Sequence, residues 1–323
     1  VKKLVIQIPC YNEASALPIT LSQLPRKIEG VDRVEWLIID DGSTDGTVQA
    51  AEASGADHIV RHKSNLGLAR AFQTGIEEAL RVGAHIIVNT DADNQYRAED
   101  ISKLVEPILN GEADVVIGTR PVGSISHFSA TKKLLQRVGS WFARKLSRTS
   151  VKDAPSGFRA ISRDAALRMN ILSEYTYTLE TLIQAGQTGM VVKSVPVRTN
   201  APMRPSRLIS GQWTYVWKSL VTMVRIYMTY RPFEFFLLPG LVLCFGGGLL
   251  FLRYFVIMLQ GGGKGHVQSV VVGAMLLVAG GGAVVLALVV DLIGVNRKLL
   301  EKQNRRLAEL EAQVRGLGKS EDG

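Results

Sequence analysis

Two long uncharged segments near the carboxyl end, Phe235–Leu252 and Val267–Val290, limit most strongly what this chain can fold into. As helices rising 1.5 Å per residue, each is long enough to cross a hydrocarbon layer of about 30 Å. A lone apolar run could be the central helix of a soluble core. Two in tandem, rich in glycine and separated by Gln260–His266, predict a pair of membrane spans. Arg225 and Arg231 precede the first, and Arg297, Lys298, Lys302, Arg305 and Arg306 follow the second. The connecting loop holds Lys264, with Arg253 near that end of the first span. Positive charge gathered at the outer ends predicts an integral protein of the cytoplasmic membrane with both termini cytoplasmic. Val1–Leu4 runs straight into a globular pattern, so no signal peptide is expected and the amino-terminal domain is expected to stay cytoplasmic.

Ahead of the spans there is room for one large domain within the 323 residues. The net charge of +9 would suit a nucleic-acid binder, but no binding motif accompanies it. Anionic lipid and phosphate-bearing ligands account for the same excess. Cys10 and Cys244 fall in unrelated settings, and no disulfide is expected.

The first two hundred residues alternate strand-like and helix-like segments. Strands are expected at 4–9, 36–40, 58–61, 85–90, 114–118 and 191–198, and helices at 14–24, 45–54, 67–82, 98–109 and 177–187. Ser43 or Asp45 could cap the second helix. The pattern predicts an α/β domain around a mostly parallel sheet covered on both faces. Ligands of such sheets bind beyond the carboxyl ends of the strands, which directs attention to 9–13, 40–44 and 91–96. A basic amphipathic helix is expected over 131–146, and 151–161 reads as turn-rich. The segment 213–231, with aromatics at both ends and Lys218, Arg225 and Arg231 between, predicts a helix lying in the headgroup layer. The expected boundaries are a catalytic domain over 1–211, interfacial helices over 212–232, spans over 233–260 and 266–294, and a helical tail over 295–323. In the tail, Leu300, Leu307 and Val314 recur every seven residues and Gln303 interrupts the companion row, so a solvated helix and an oligomer contact both remain open.

The residues that carry chemistry lie in three strand-end loops. Asp91-Ala92-Asp93 follows an apolar strand directly, and two carboxylates so close at the mouth of a sheet are costly to desolvate unless a hard cation compensates them. Gln95 adds an amide two positions on. Asp40 and Asp41 open a turn, Gly42–Gly46, where one aspartate could meet a base or ribose. Pro9-Cys10-Tyr11-Asn12-Glu13 ends the first strand with an aromatic ring and a carboxylate.

In this order the three loops resemble the family-two glycosyltransferases with the GT-A fold. Asn65-Leu66-Gly67-Leu68-Ala69 is similar to that family's turn after the third strand, and Gly118-Thr119-Arg120 to its post-strand arginine. Ser156-Gly157-Phe158-Arg159, with Asp153 ahead of it, resembles the branch of dolichyl-phosphate mannose synthases and bacterial polyprenyl-phosphate glucosyltransferases. The resemblance implies transfer of a sugar from a nucleotide-sugar donor, UDP-glucose foremost, onto a polyprenyl phosphate, with Mg2+ or Mn2+ and inversion at the anomeric carbon. It implies that Pro9, Tyr11, Glu13 and Asp41 hold the nucleoside, and that Asp91, Asp93 and Gln95 hold metal and diphosphate. Arg120, Arg204 and Arg207 would meet phosphate groups. Asp153 would stand where some members are thought to place a catalytic carboxylate. An acceptor phosphate is already anionic, so Asp153 is expected to position rather than deprotonate. A homo-oligomer, a tetramer foremost, follows from the same resemblance.

A processive polysaccharide synthase would carry a Gln-x-x-Arg-Trp motif, which Gln136–Trp141 does not match. An acceptor such as diacylglycerol or ceramide would need a base for its hydroxyl. A non-catalytic membrane scaffold would have no use for the acidic pair and its companion loops.

Overall fold

The computed structural model describes residues 1–120, 144, 147, 149, 151, 153–169, 177–200, 221, 224, 225, 227, 228, 231–261 and 267–321. The expected helix over 131–146, most of the headgroup-layer segment, and Arg204 and Arg207 lie outside these residues. The chain divides into two compact units, Val1–Leu220 and Val221–Gly323.

The first unit is built on a 7-stranded sheet with the order β3-β2-β1-β4-β6-β5-β7. Its strands are β1 (Lys3–Cys10), β2 (Arg33–Asp40), β3 (His58–Arg61), β4 (Ile86–Asn89), β5 (Val115–Thr119), β6 (Arg159–Ser162) and β7 (Val192–Pro196). Helices α1 (Leu17–Gln23), α2 (Thr47–Ala53), α3 (Leu68–Arg81), α4 (Ile101–Leu109), α5 (Arg163–Arg168) and α6 (Tyr177–Gln187) cover it. β1 pairs parallel with β2 and β4, β2 with β3, and β5 with β7. β6 runs antiparallel between β4 and β5. The segment 151–161, expected to be turn-rich, therefore ends in a strand. β6 has only four residues, too short for a period to stand out beside the Pro-Ser-Gly turn ahead of it.

Central strands here are continuous apolar runs because both faces are covered. Alternate residues feed two cores. Leu4, Ile6 and Ile8 of β1 pack with Trp36, Leu104 and Phe158 on one face. Val5, Leu37 and Ile39 pack with Phe72, Ile76 and Ala79 on the other. In α3 the buried residues Ala69, Phe72, Ile76 and Ala79 fall at helical spacing, so one stripe meets the sheet. Burying a side chain such as Phe72 contributes about 1.5–3 kcal/mol.

The second unit contains α7 (Pro232–Leu259) and α8 (Val267–Glu321). Pro232–Leu259 and Val267–Asn296 are each long and apolar enough to cross a membrane. Only 11% of each apolar window is buried, so neither is the core helix of a soluble domain. Paired glycines let the two backbones touch. A Cβ on Gly240 would stand 3.0 Å from the Gly280 carbonyl oxygen, and one on Gly247 would stand 2.7 Å from that of Gly273. Close approach through small residues is how helices pack where lipid removes the hydrophobic drive. The expected tail is continuous with the second apolar helix, since α8 runs unbroken to Glu321. Both cysteines are free.

Candidate active site

The six parallel strands, β1, β2, β3, β4, β5 and β7, all direct their carboxyl ends to one rim. Because β6 runs the other way, its amino end reaches the same rim and brings Asp153–Phe158 with it. The antiparallel strand thus unites a late segment of the chain with the early loops.

The first two loops are stitched together. Asn12 takes a left-handed backbone, φ 53°. Its N–H donates to Ser43 Oγ at 2.8 Å, and its Oδ1 accepts from Thr44 N at 2.9 Å. Glu13 N donates to Thr47 Oγ1 at 2.9 Å, while Asp45 accepts from Thr47 N at 3.0 Å and Ala14 N at 3.2 Å. Asp45 rather than Ser43 therefore serves the start of α2. Tyr11 projects from this brace with 43% of its surface exposed, a ring free to stack on a ligand. Pro9 is buried within β1, beside Ile39. Glu13 is buried too.

Asp41 is placed differently from an open ligand. Its Oδ1 accepts from Leu66 N and His62 Nδ1, and its Oδ2 from Gly67 N, all at 2.8 Å. The carboxylate holds the Asn65–Gly67 turn. That turn needs glycine at 67, where φ is 92°, and presses so close that a Cβ on Gly42 would meet the Ser64 carbonyl carbon at 2.5 Å. His62 Nε2 is also engaged, by Thr74 Oγ1 at 3.0 Å. Beside this brace lies a cavity of about 400 Å³ lined by Gly42, Ser43, Thr44, Arg61, His62 and Lys63. Arg61 donates to the Ser43 carbonyl at 3.1 Å and pairs with Asp40 at 3.1 Å. The basic run Arg61-His62-Lys63 escaped sequence reasoning, although its place at a strand's carboxyl end could have flagged it.

The acidic pair follows β4. Asn94 is left-handed, φ 55°, and turns the loop so that Gln95 N donates to Asp93 Oδ1 at 3.1 Å. Asn200 clamps the turn by donating to the Asn94 carbonyl at 2.9 Å. Asp91 accepts no hydrogen bond among the described residues. Burial, and next the charge of Asp93, push its carboxyl up to about 7, partly offset by Arg120 and Arg159. That excess of negative charge at a half-buried pair is what a divalent cation would relieve, so the donor set of Asp91 and Asp93 fits Mg2+ or Mn2+ completed by phosphate oxygens. Gln95 has its side chain half-buried in the same loop.

Arg120 and Asp153 form one unit. The guanidinium donates to Asp153 from Nε at 2.8 Å and Nη2 at 3.0 Å, and the Arg120 backbone N–H donates at 3.2 Å. Burial alone would weaken the charge on Arg120, but the Asp153 hydrogen bonds outweigh it and keep the group protonated. Asp153 is 1% exposed, so its oxygens serve Arg120 rather than solvent.

Behind the pair lies a polar layer that sequence reasoning also missed. Asn89 accepts from Gln7 Nε2 at 2.9 Å and donates to the Gly157 carbonyl at 2.8 Å and to Tyr177 Oη at 3.1 Å. Burial pushes the Tyr177 hydroxyl far above its usual value, so it keeps its proton. Arg159, fully buried, donates to Thr181 Oγ1 at 2.5 Å and to the Ser156 carbonyl, tying the turn before β6 to α6. Tyr96 stacks on Phe158 with ring centres 4.7 Å apart.

The chain is 28% identical over 207 residues to polyprenol monophosphomannose synthase of Mycolicibacterium smegmatis, covering 61% of this chain and 77% of that protein. It is 28% identical over 200 residues to undecaprenyl-phosphate mannosyltransferase of Micrococcus luteus, covering 59% and 80%. With UDP-N-acetylglucosamine--dolichyl-phosphate N-acetylglucosaminyltransferase of Methanococcus voltae it shares 29% identity over 222 residues, covering 61% and 86%. Among solved structures, glucosyl-3-phosphoglycerate synthase of Mycobacterium tuberculosis superposes with a TM-score of 0.55 at 21% identity, covering 69% of this chain and 80% of that one, which shows a common fold. The profile of glycosyl transferase family 2 matches residues 5–175, more than half the chain and every strand-end loop described above, and the chain belongs to that family of glycosyltransferases.

Proposed function

We propose that the chain transfers a hexosyl group from a nucleoside diphosphate sugar, UDP-glucose foremost, to a polyprenyl phosphate at the cytoplasmic face of a membrane. The observation that carries this reading is the half-buried acidic pair at the sheet rim, with Asp91 accepting no hydrogen bond among the described residues. Names of three relatives, all acting with a polyprenyl or dolichyl phosphate, support the acceptor. The glucosyl-3-phosphoglycerate synthase neighbour, solved with Mn2+ and uridine diphosphate, supports a divalent cation and a uridine donor.

In this reading Tyr11 and the cavity walled by Arg61, His62 and Lys63 take the nucleoside, and Asp41 holds the wall in shape. Asp91 and Asp93 would hold a divalent cation, which when bound would supply Lewis-acid neutralisation of charge on the departing diphosphate. Gln95 lies beside it. Arg120, aimed by Asp153, meets a phosphate group, and Arg204 and Arg207 hold the acceptor phosphate. An oxygen of that phosphate attacks the anomeric carbon. The bond from that carbon to the diphosphate oxygen breaks with its electron pair leaving on the nucleotide, and the centre inverts. The attacking oxygen is already an anion, so alignment and leaving-group stabilisation carry the rate.

The test is a panel of nucleotide sugars with undecaprenyl phosphate, purified protein and Mg2+ or Mn2+, read by mass of the lipid product. A hexosyl-phospho-lipid from UDP-glucose is expected. Asp93→Ala should eliminate transfer, whereas Arg207→Ala should chiefly raise the KM for lipid. No product with any donor, or equal mild losses in both variants, would sink the assignment.

A further inference from the structure

The loop that carries the acidic pair is gripped by its backbone from two sides, and the donors on both sides come from distant parts of the chain. Thr20, buried in α1, donates from Oγ1 to the Ala92 carbonyl at 2.7 Å. Ala92 is the residue between the two aspartates. The Ala16 carbonyl lies 3.2 Å from the same hydroxyl, but the group has one hydrogen, and the shorter contact has the stronger claim on it. On the other side, Asn200 donates from Nδ2 to the Asn94 carbonyl and from its backbone N–H to the Gln95 carbonyl, both at 2.9 Å. A carbonyl can only accept, so the Asn200 group facing Asn94 must be the amide nitrogen. Gln95, held by its carbonyl, donates in turn from N to Asp93 Oδ1 at 3.1 Å. The grip of Asn200 thus reaches that carboxylate through one residue.

A loop released from these donors has two reasons to relax. Asn94 sits in the left-handed region, φ 55°, which a residue with a side chain keeps only where its surroundings impose it. The charge of Asp93 also bears on Asp91, so an unheld loop would let the two carboxylates part while no cation lies between them. Ligands that must be gathered at the moment of binding cost affinity, and ligands already gathered do not.

We propose that Thr20 and Asn200 are positioning residues for the donor site: gripping 92–95 from opposite sides, they keep Asp91 and Asp93 gathered before a divalent cation arrives. Both roles rest on the reading of this pair as cation ligands, and the test separates the two.

The full-length protein in detergent is titrated with Mn2+ in the presence of UDP, and free Mn2+ is followed by electron paramagnetic resonance. Thr20→Val keeps the branched shape and removes the hydroxyl. Asn200→Ala removes the amide and keeps the backbone N–H. Each should weaken Mn2+ binding about tenfold, as loss of a group that orients a ligand does, with the melting temperature within a few degrees of wild type. Thr20→Ser keeps the hydroxyl and should bind Mn2+ as wild type does. An equal loss in the serine variant would lay the effect on packing and overturn the proposal. Wild-type affinity in either Thr20→Val or Asn200→Ala, while Asp93→Ala loses Mn2+, would overturn it too and leave the acidic pair standing. Unchanged Mn2+ binding in Asp93→Ala would remove the donor-site reading itself. If Thr20→Val does not fold, Asn200→Ala, on the half-buried segment after β7, decides by the same criterion.

Discussion

Asp153 and Asp41 are both aspartates beside a sheet rim, and their surroundings give each a task that its own chemistry does not announce. Asp153 accepts three hydrogen bonds from Arg120. A carboxylate so occupied is poorly placed to collect a proton, and a phosphate acceptor asks for none. Loss of a true general base costs about 10²–10⁴-fold and removes the acidic limb of the pH–rate profile. Asp153→Asn is instead expected to lower kcat/KM by about tenfold with that limb intact, since an amide can still hold Arg120, less firmly. A profile that loses its acidic limb would return the base role to Asp153. Asp41 was legible as a strand-end aspartate, but its service to Leu66, Gly67 and His62 was not, because those partners come from the segment after β3. The pair Asp91 and Asp93 was readable because a strand followed at once by two carboxylates is a local pattern.

Among the elements, the strap after β7 shows how one short segment holds the acidic loop. Thr199 bridges to Tyr96 antiparallel, and Asn200 N donates to the Gln95 carbonyl at 2.9 Å. One step back, Arg198 grips Asp100, donating from its backbone N at 2.7 Å and from Nη2 at 2.8 Å, while Lys103 pairs with the same carboxylate at 2.8 Å. Burial alone would raise the Asp100 carboxyl, but these partners outweigh it and hold it well below the usual carboxylate range. A carboxyl depressed in the folded state stabilises above its unfolded value of about 4, and that contribution fades as pH falls from there toward the folded value. Asp100→Asn should therefore lower the melting temperature by about 5 °C at pH 7 and by progressively less below pH 4. Parallel melting curves at both pH values would show that the strap contributes nothing through this charge. The apolar segments of α7 and α8 were plain in sequence, since membrane length is a property of one stretch of chain. Their glycine-to-glycine contact was not, because Gly240 and Gly280 meet only when the two helices pack.

At the scale of the whole molecule, the proposed arrangement places both chain ends and the catalytic unit in the cytoplasm, with the loop between α7 and α8 outside. Single cysteines in a Cys10→Ser, Cys244→Ser background test it. A cysteine at Lys264 should react with an impermeant maleimide in intact cells, and one at Lys319 only after lysis. The opposite pattern would reverse the orientation, and with it the access of the rim to cytoplasmic nucleotide sugars. What the sequence determined alone were features set by neighbours along the chain: two stretches of hydrocarbon length, the alternation of strand and helix, and acidic residues at strand ends. The tertiary structure decided the rest: β6 entering against the direction of its neighbours, Asp41 turned into a brace, Arg120 locked to Asp153, and Asn89 joined to Gly157 and Tyr177. Each depends on groups far apart in the chain meeting in a water-poor interior. There an unpaired donor or charge is costly, and no local pattern records which distant partner satisfies it.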